Sequence, residues 1–271
     1  MSDMSNPIVL VGAGNMGGAM LSGWLKSGID GASVVVLDPG PSESMAGLIA
    51  EHGARHVRHA PDDLKAGVLF LAVKPQIMEA VIAPLKGLVG PNTVIVSVAA
   101  GKTLAFMQQH LGQAAMVRAM PNTPAMIGRG VTGAFANAAV SEAQRQTVDQ
   151  LLRVSGPVEW VDSEADIDSV TAVSGSGPAY VFYLVEVMAE AGRKLGLPAE
   201  LAMRLARETV AGAGELLHQS SDEAATLRKN VTSPGGTTAA ALSVLMADKG
   251  IQPIFDAALE AARTRAQELA G

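Results

Sequence analysis

The feature that most constrains this chain is a glycine-rich turn between a short apolar strand and a helix. Residues 8–11 (Ile-Val-Leu-Val) form a run that predicts a buried strand. The turn that follows directly is Gly12-Ala13-Gly14-Asn15-Met16-Gly17. Met16, Met20 and Trp24 then recur at helical spacing. A strand, such a turn and a helix in this order are typical of the first unit of a doubly wound sheet.

Each glycine of this turn has its own expected task. Gly12 is expected to make the tight turn, Gly14 to let the backbone approach a pyrophosphate, and Gly17 to let the helix pack closely on the sheet. The free N–H groups at the start of the helix would then bind the anion. The whole glycine loop is therefore predicted to bind a dinucleotide, through Gly12, Ala13, Gly14, Asn15, Met16 and Gly17.

Asp38 ends the second predicted strand and bears on which dinucleotide is bound. An acidic side chain at this position accepts hydrogen bonds from a ribose 2′-hydroxyl and repels a 2′-phosphate. Residues 39–42 contain no Arg or Lys, so the local pattern favours NADH. In the alternative, Asp38 points away while backbone N–H groups and Ser42 hold the phosphate of NADPH.

Further apolar runs predict the rest of a sheet. They lie at residues 34–37, 68–73, 94–98 and 116–120. Continuous apolar strands separated by helical stretches are typical of a parallel sheet that is covered on both faces. Two more runs could extend it, at residues 130–135 and 158–161, with a helix at about 141–155 between them.

After about Asp162 the strand-like runs stop, and Ala, Leu, Glu and Arg dominate. Helical periodicity predicts long helices at residues 179–195, 198–218, 239–246 and 254–269. Their alanine- and glycine-rich faces would let helices approach closely, within one chain or against a second copy. We therefore predict an α/β protein with an N-terminal Rossmann-type doubly wound parallel sheet in residues 1–162, followed by an all-helical domain in residues 163–271.

Ligands of a doubly wound sheet lie beyond the carboxyl ends of its strands. Three loops leave predicted strands at that edge, and each alone could be ordinary loop chemistry. Because they meet at the predicted crevice, we expect them to line the ribose and the nicotinamide. Their candidate residues are Ala72, Val73, Lys74 and Pro75, then Ala99, Ala100 and Gly101, then Asn122 and Thr123.

Two glycine-rich segments stand in the helical half. Residues 174–178 (Ser-Gly-Ser-Gly-Pro) precede a long helix, as a cap and a point of close approach. Residues 232–238 open another helix and offer donors for a small carboxylate. An ordinary N-cap needs a single Ser or Thr, which this segment exceeds. Its donors are the hydroxyls of Ser233, Thr237 and Thr238 and the N–H groups of Gly235, Gly236 and Thr237.

Composition and charge exclude several other classes. The chain has no cysteine, which excludes disulfides, thiolate catalysis and Cys-ligated metals. Its formal net charge is −6 without a basic stripe, which argues against nucleic-acid binding. No apolar stretch is long enough for a membrane span, and residues 1–6 lack the basic region of a signal peptide, so a cytoplasmic location is expected. His52, His56 and His59 are interpreted as part of a solvated loop, and no metal is predicted.

Four segments, in order, resemble the pyrroline-5-carboxylate reductase family, and the likeness runs from about Asn6 to Glu268. The most specific are AVSGSGPAY at 172–180 and VTSPGGTT at 231–238, supported by AVKPQ at 72–76 and RAMPNTPA at 118–125. The resemblance implies reduction of the cyclic imine 1-pyrroline-5-carboxylate to L-proline by NADPH or NADH, the last step of proline biosynthesis. It also implies that the helical domain binds substrate and interlaces in a homodimer, often within larger rings such as decamers.

For individual residues, the resemblance implies that the loop at 233–239 holds the substrate carboxylate. The Thr238 hydroxyl would lie near the ring nitrogen, as the candidate catalytic group, and the loop could face a nicotinamide carried by the partner subunit. Many family members prefer NADPH, whereas Asp38 indicates tolerance of NADH. The predicted substrate-binding residues are Ser176, Ser233, Gly235, Gly236, Thr237, Thr238 and Ala239.

Two other functions stay open on the sequence. Hydroxyacid dehydrogenases of similar two-domain plan also begin with such a glycine loop, but they usually need a Lys or His acid–base group in the helical half. The candidate loop lacks one, although Lys229 is close in sequence. A non-catalytic dinucleotide sensor would bind the dinucleotide without imine-dependent turnover.

Overall fold

A computed structural model describes residues 6–270 of the chain, with side chains described through Leu269. Residues 1–5, on which the expectation of no signal peptide largely rests, lie outside the described residues, as does Gly271. Within the described part, no helix is both long enough and apolar enough to cross a membrane.

The described residues contain one sheet of eight strands, in the order β3-β2-β1-β4-β5-β6-β7-β8. This order, with helices between the strands, is that of the predicted doubly wound sheet. The strands are β1 Ile8–Val11, β2 Val34–Leu37, β3 Arg55–Val57, β4 Val68–Leu71, β5 Val94–Ser97, β6 Ala115–Met120, β7 Thr132–Ala136 and β8 Val158–Trp160.

Two strands depart from the predicted parallel arrangement, because β7 and β8 run antiparallel to β1–β6. β7 pairs antiparallel with β6, whereas the other neighbouring strands of the sheet pair in parallel. A parallel neighbour needs a long crossover, usually a helix. Residues 121–131 provide only a short 3₁₀ turn, Thr123–Ile127, so the chain folds directly back beside β6.

The central strands are apolar throughout because both faces of the sheet are covered. Along β1, Ile8 and Leu10 belong to the core on one face, and Val9 and Val11 to the core on the other. On the first face, the Trp24 ring lies edge-on to Phe70 with 5.1 Å between ring centroids, and its Nε1 donates to the carbonyl of Leu151 at 2.8 Å. The first helix is thereby fixed against the sheet, and its N-terminus lies next to the end of β1.

The helices of the first part alternate with the strands. A π-helical turn, Thr171–Gly175, follows directly on the helix that ends at Val170. Further 3₁₀ turns occur at Gly31–Ser33 and Ala83–Leu88. The helices are α1 Asn15–Lys26, α2 Glu43–Glu51, α3 Pro75–Ile82, α4 Leu104–Leu111, α5 Glu142–Arg153 and α6 Asp166–Val170.

The interpretation of the stretch around His52, His56 and His59 as a solvated loop is wrong for its middle, while His52 and His59 lie outside any strand and are exposed. Arg55 to Val57 form the edge strand β3, paired with β2. The side chains of Arg55 and His56 are exposed there, and an edge strand with exposed polar side chains lacks the apolar signal of a buried strand. No group of three His, Asp or Glu side chains within the described residues could hold a metal ion.

The second part is helical, as predicted, with one helix that the sequence pattern did not reveal. That helix, α9, is a short polar segment before the candidate carboxylate loop. The helices are α7 Gly177–Lys194, α8 Ala199–Gln219, α9 Ala224–Asn230, α10 Thr237–Leu245 and α11 Ile251–Ala270.

The chain divides into two compact units. One contains the residues up to Ser176 together with α11 from Ala262 onward, and the other contains Gly177–Ala261. The domain boundary between residues 162 and 163 was placed where the strand-like sequence ends, and it stays a prediction.

Within the second unit many apolar side chains are exposed, among them Phe182 at 62%, Tyr183 at 65% and Val244 at 70%. Exposed apolar surface on this scale indicates a face that another protein surface covers.

Candidate active site

The carboxyl ends of the strands bring most of the predicted dinucleotide residues to one edge. In the parallel register Val11 lies beside both Leu37 and Leu71, and Leu71 beside Ser97. The residues that follow these strands are therefore neighbours. Gly12 donates its N–H to the carbonyl of Leu37 at 2.9 Å, and Ala72 donates to that of Val11 at 2.8 Å. The crevice predicted at the strand ends is the place where these loops meet.

The backbone of the glycine loop requires glycine at two of its three glycine positions. Gly12 has a φ of +89°, and a Cβ there would lie 2.8 Å from Cγ1 of Val73. A Cβ on Gly17 would lie 2.0 Å from the Gly12 carbonyl oxygen and 3.0 Å from the Ala72 Cβ. The predicted tight turn and close helix–sheet contact are thus both present.

Gly14 is different, because a Cβ there would have no neighbouring atom within 4 Å. Gly14 is the N-cap of α1, and no side chain caps this helix. The N–H groups at the start of α1 therefore face open space, where the partial positive charge of the helix end favours an anion. A cavity of about 400 Å³ opens there, lined by Ala13, Gly14, Asn15, Gly18, Ala19, Asp38, Gly40, Pro41, Ser42, Ser44, Met45 and Met126.

Asp38 lines this cavity, but its carboxylate is already engaged by the backbone. Its Oδ2 accepts the N–H of Ala13 at 2.7 Å, and its Oδ1 accepts the N–H of Gly40 at 2.8 Å. The side chain therefore ties the glycine loop to the end of β2. A ribose hydroxyl would have to share these oxygens with the two backbone donors.

The other strand-end residues take different positions. Lys74 is exposed and precedes Pro75, the first residue of α3, while Ala72 and Val73 pack beside the glycine loop. Of the segment after β5, Ala99 is buried and Ala100 half-buried. Gly101 has a φ of +69°, and its missing side chain makes room for Leu269 of α11, whose Cβ would lie 2.8 Å from a Cβ at Gly101. The packing of Leu269 therefore requires a glycine at position 101, whether or not a ligand lies there.

Asn122 and Thr123 follow β6 at the same edge. The Oδ1 of Asn122 accepts the N–H of Val131 at 3.0 Å and so closes the loop between β6 and β7. Thr123 is exposed at the start of the 3₁₀ turn. Met126 of that turn reaches the cavity next to α1 and is 64% exposed, a lining residue that the sequence analysis did not identify.

A buried ion-pair network lies under this edge of the sheet. Arg118 of β6 is 3% exposed, and its Nη2 donates to Oδ1 of Asp168 at 2.9 Å. Its Nη1 lies 3.5 Å from Oε1 of Glu164, and the same oxygen accepts the N–H of Leu104 at 2.8 Å. One arginine thus joins a strand to the start of α4 and to α6.

In the second unit, residues 233–239 form the turn into α10, the candidate carboxylate loop. Gly235 has a φ of +69°, and Gly236 is the N-cap of α10 without any side-chain cap. A Cβ on Gly236 would lie 2.8 Å from Oγ of Ser233, so the turn is closed tightly on itself. The prediction that the Gly236 N–H is a free donor is wrong, because it donates to the carbonyl of Ser233 at 3.0 Å. None of the hydroxyls in this segment caps α10. The segment therefore does not act as an ordinary N-cap, in agreement with the sequence analysis.

The hydroxyls of Ser233, Thr237 and Thr238 make no hydrogen bond within the described part of the chain. Together with the N–H groups at the start of α10, they give several free donors at one helix end. Ala239 continues that first turn, with its side chain half-buried. Such a helix end fits a small carboxylate.

Ser176, the remaining predicted substrate residue, lies at the end of the π-helical turn of the first unit. Its N–H donates to the carbonyl of Thr171 at 2.8 Å. The preceding Gly175 allows the close approach that the sequence predicted, since a Cβ there would lie 2.7 Å from Cε of Met120. The segment is not a simple cap, because the chain is already helical through Gly175.

A doubly wound sheet with an uncapped helix start after its first strand, followed in the chain by a helical unit, is typical of two-part oxidoreductases that use a nicotinamide dinucleotide. Residues 164–269 match the family model for pyrroline-5-carboxylate reductase dimerisation. Residues 7–101 match the model described as NADP oxidoreductase, coenzyme F420-dependent.

Whole-chain relatives give the particular family. The chain is 44% identical to the pyrroline-5-carboxylate reductase of Pseudomonas aeruginosa, over 98% of both chains. Its structure is similar to that of the Coxiella burnetii reductase, with a TM-score of 0.89 and 36% identity over 98% of this chain and 99% of that one. It is also similar to the Plasmodium falciparum reductase with NADP bound, with a TM-score of 0.80 and 26% identity over 99% of each chain. The chain therefore belongs to the pyrroline-5-carboxylate reductase family. The match to the dimerisation model points to self-association of the chain.

Proposed function

We propose that this chain reduces 1-pyrroline-5-carboxylate to L-proline with hydride from NADPH or NADH, the last step of proline biosynthesis. Family membership over the whole chain supports the reaction. The observation that carries the assignment of the substrate site is the start of α10, where three hydroxyls and the first N–H groups of the helix are free together. The dinucleotide would bind at the glycine loop and at the strand-end residues already described.

The reaction requires the side chains mainly to position the two reactants. A hydride from the dinucleotide adds to the imine carbon, and the nitrogen must carry or receive one proton as this happens. The candidate carboxylate loop contains no Cys, His or carboxylate. Holding the imine carbon against the hydride donor therefore supplies most of the rate.

Different residues bind the substrate carboxylate and orient the ring nitrogen. Ser233 and the backbone N–H groups of Gly235 and of residues 237–239 hold the substrate carboxylate by hydrogen bonds and by the field of the helix end. The N–H of Gly236 is not available for this, since it donates to the carbonyl of Ser233. Ser176 is proposed to complete the substrate contacts. Thr238, in the first turn of α10, orients the ring nitrogen or relays its proton.

Replacing Thr238 with alanine is expected to lower kcat/KM for the imine by roughly 10- to 100-fold, because the orienting or proton-relaying group is lost. Dinucleotide affinity should stay near wild type, since the change lies outside the glycine loop. Thr238→Ser, which keeps the hydroxyl, should retain most of the activity. The measurement is steady-state kinetics with varied imine concentration. If Thr238→Ala had the same kcat/KM as the wild type, Thr238 would have no role in the mechanism.

The main competing function, a hydroxyacid dehydrogenase, depends on Lys229 as the acid–base group. Lys229 lies on α9 and lines a cavity of about 440 Å³ together with Thr232, Leu242 and Met246. None of the residues 233–239 lines that cavity. Side-by-side initial rates with the pyrroline carboxylate and with 2-oxo acids, using each dinucleotide, are expected to show turnover of the imine. A reversed preference, or dinucleotide binding without imine turnover, would favour the dehydrogenase or the sensor.

Two finer features belong to the proposal. Rings of dimers, such as decamers, are proposed from the family resemblance and would appear in light scattering as a mass several times that of a dimer. A cytoplasmic location is proposed because the reaction draws on the cell's pool of reduced dinucleotide. Fractionation of cells that express the protein would test it.

A further inference from the structure

Arg58 lies beside the loop at residues 38–42, which borders the cavity at the glycine loop, although the sequence around Arg58 gave no sign of this. It follows β3 directly, and β3 pairs with β2 so that Val57 lies beside Leu37. The N–H of Asp38 donates to the carbonyl of Val57 at 3.1 Å, which holds the two strand ends together. Arg58 therefore lies next to the loop that follows Asp38.

The guanidinium of Arg58 is anchored to that loop. Its Nε donates to the carbonyl of Pro39 at 3.0 Å. Pro39 stands between Asp38 and Gly40, which both line the cavity beside the glycine loop. The side chain is exposed, and its two Nη atoms make no ion pair or hydrogen bond with the described residues.

Two hydroxyl groups follow Pro39 in the same part of the chain. Ser42 is the N-cap of α2, where its Oγ accepts the N–H of Met45 at 3.3 Å and lies 3.2 Å from Oγ of Ser44. Ser42 and Ser44 both line the cavity. A phosphate in front of this loop would therefore meet two hydroxyls and one cation whose remaining donors are free.

Asp38 does not by itself decide against such a phosphate. Both of its oxygens already accept hydrogen bonds from backbone N–H groups, so the carboxylate stabilises the conformation of the loop. Arg58 places a positive charge on the same loop and offsets the negative one. A guanidinium also binds phosphate with paired, charge-assisted hydrogen bonds.

We infer that Arg58 is a specificity-determining residue: it supplies the counter-charge for the 2′-phosphate of NADPH, and this chain binds NADPH in preference to NADH. The inference rests on the proposed dinucleotide site at the glycine loop. It replaces the preference for NADH that residues 38–42 alone suggested.

The test is the affinity of the full-length protein for NADP⁺ and for NAD⁺, measured by calorimetry at low ionic strength without imine. Arg58→Gln is expected to weaken NADP⁺ binding about tenfold or more, the size of one lost charge-assisted hydrogen bond, while NAD⁺ binding stays within about twofold. Arg58→Lys, which keeps the charge but not the paired donors, should fall between the wild type and Arg58→Gln.

Arg55→Gln is the matched control. Arg55 is an exposed arginine on the same strand, paired with Val35 at the end away from the crevice, roughly 10 Å along the strand from Arg58. It should leave both affinities within about twofold of wild type. Equal weakening of NADP⁺ and NAD⁺ by Arg58→Gln, unchanged NADP⁺ binding, or an equal effect of Arg55→Gln would each overturn the inference. Because no turnover is measured, a failure of imine reduction would leave this result standing, and the reverse also holds.

Discussion

Asp168→Ala is expected to lower the free energy of unfolding by roughly 3–5 kcal/mol, because it leaves a buried guanidinium without its main partner. Arg118 is 3% exposed and has its short ion pair, 2.9 Å, with Asp168. The second partner, Glu164, lies farther away, at 3.5 Å, and also accepts the N–H of Leu104, so it is the weaker of the two partners. Denaturant unfolding followed by circular dichroism measures the change.

Asp162→Ala is the control for this variant. Asp162 is an exposed aspartate a few residues earlier in the chain, and removing it should change stability by less than about 0.5 kcal/mol. A double variant, Arg118→Met with Asp168→Leu, should recover much of the loss, since an apolar pair of similar volume costs no desolvation. The network would be unimportant for stability if Asp168→Ala and Asp162→Ala unfolded alike.

The second large effect distinguishes Gly14 from Gly17 in the glycine loop. Gly14→Ala should fold normally, because Gly14 has φ −72° and ψ −160°, which alanine adopts, and its Cβ meets no atom within 4 Å. The added methyl group points into the space in front of α1, where the pyrophosphate would lie. We expect dinucleotide affinity to fall by roughly 30-fold or more, an effect of about 2 kcal/mol, in calorimetric titrations.

Gly17→Ala should behave in the opposite manner. Its Cβ would lie 2.0 Å from a backbone oxygen that cannot move without opening the loop, so the loss should be in folding yield and thermal stability. The account of the glycine loop would fail if Gly14→Ala bound the dinucleotide as wild type does. It would fail equally if Gly17→Ala were as stable as wild type.

Much of the fold could be predicted because its signals are local in sequence. The strand at residues 8–11, the glycine loop and the first helix are adjacent segments, and the structure has all three where the pattern placed them. β3 was missed because an edge strand with exposed Arg55 and His56 has no apolar run to detect. The antiparallel β7 depends on a connection too short for a crossover helix, which the strand pattern alone does not reveal.

The parts of the site that could not be predicted join residues distant in sequence. Arg118 was included in a predicted apolar strand, and its ion-pair partners lie 46 and 50 residues away in the chain. Arg58 and Pro39 are 19 residues apart and meet only because β3 returns beside β2. Gly101 was interpreted through a ligand, whereas the end of α11 explains its lack of a side chain. The ligand roles of the predicted site residues stay predictions, to be tested by the variants above.

We propose that a hydride passes from the nicotinamide ring to the imine carbon of a small carboxylate held at the start of α10. Supplying NADPH deuterated at the transferred position of C4, with unlabelled pyrroline carboxylate, tests this directly by mass spectrometry and NMR. We predict one deuterium per proline, on the ring carbon that is bonded to nitrogen and does not carry the carboxylate. Dinucleotide oxidation that yields unlabelled proline, or no proline at all, would contradict the account.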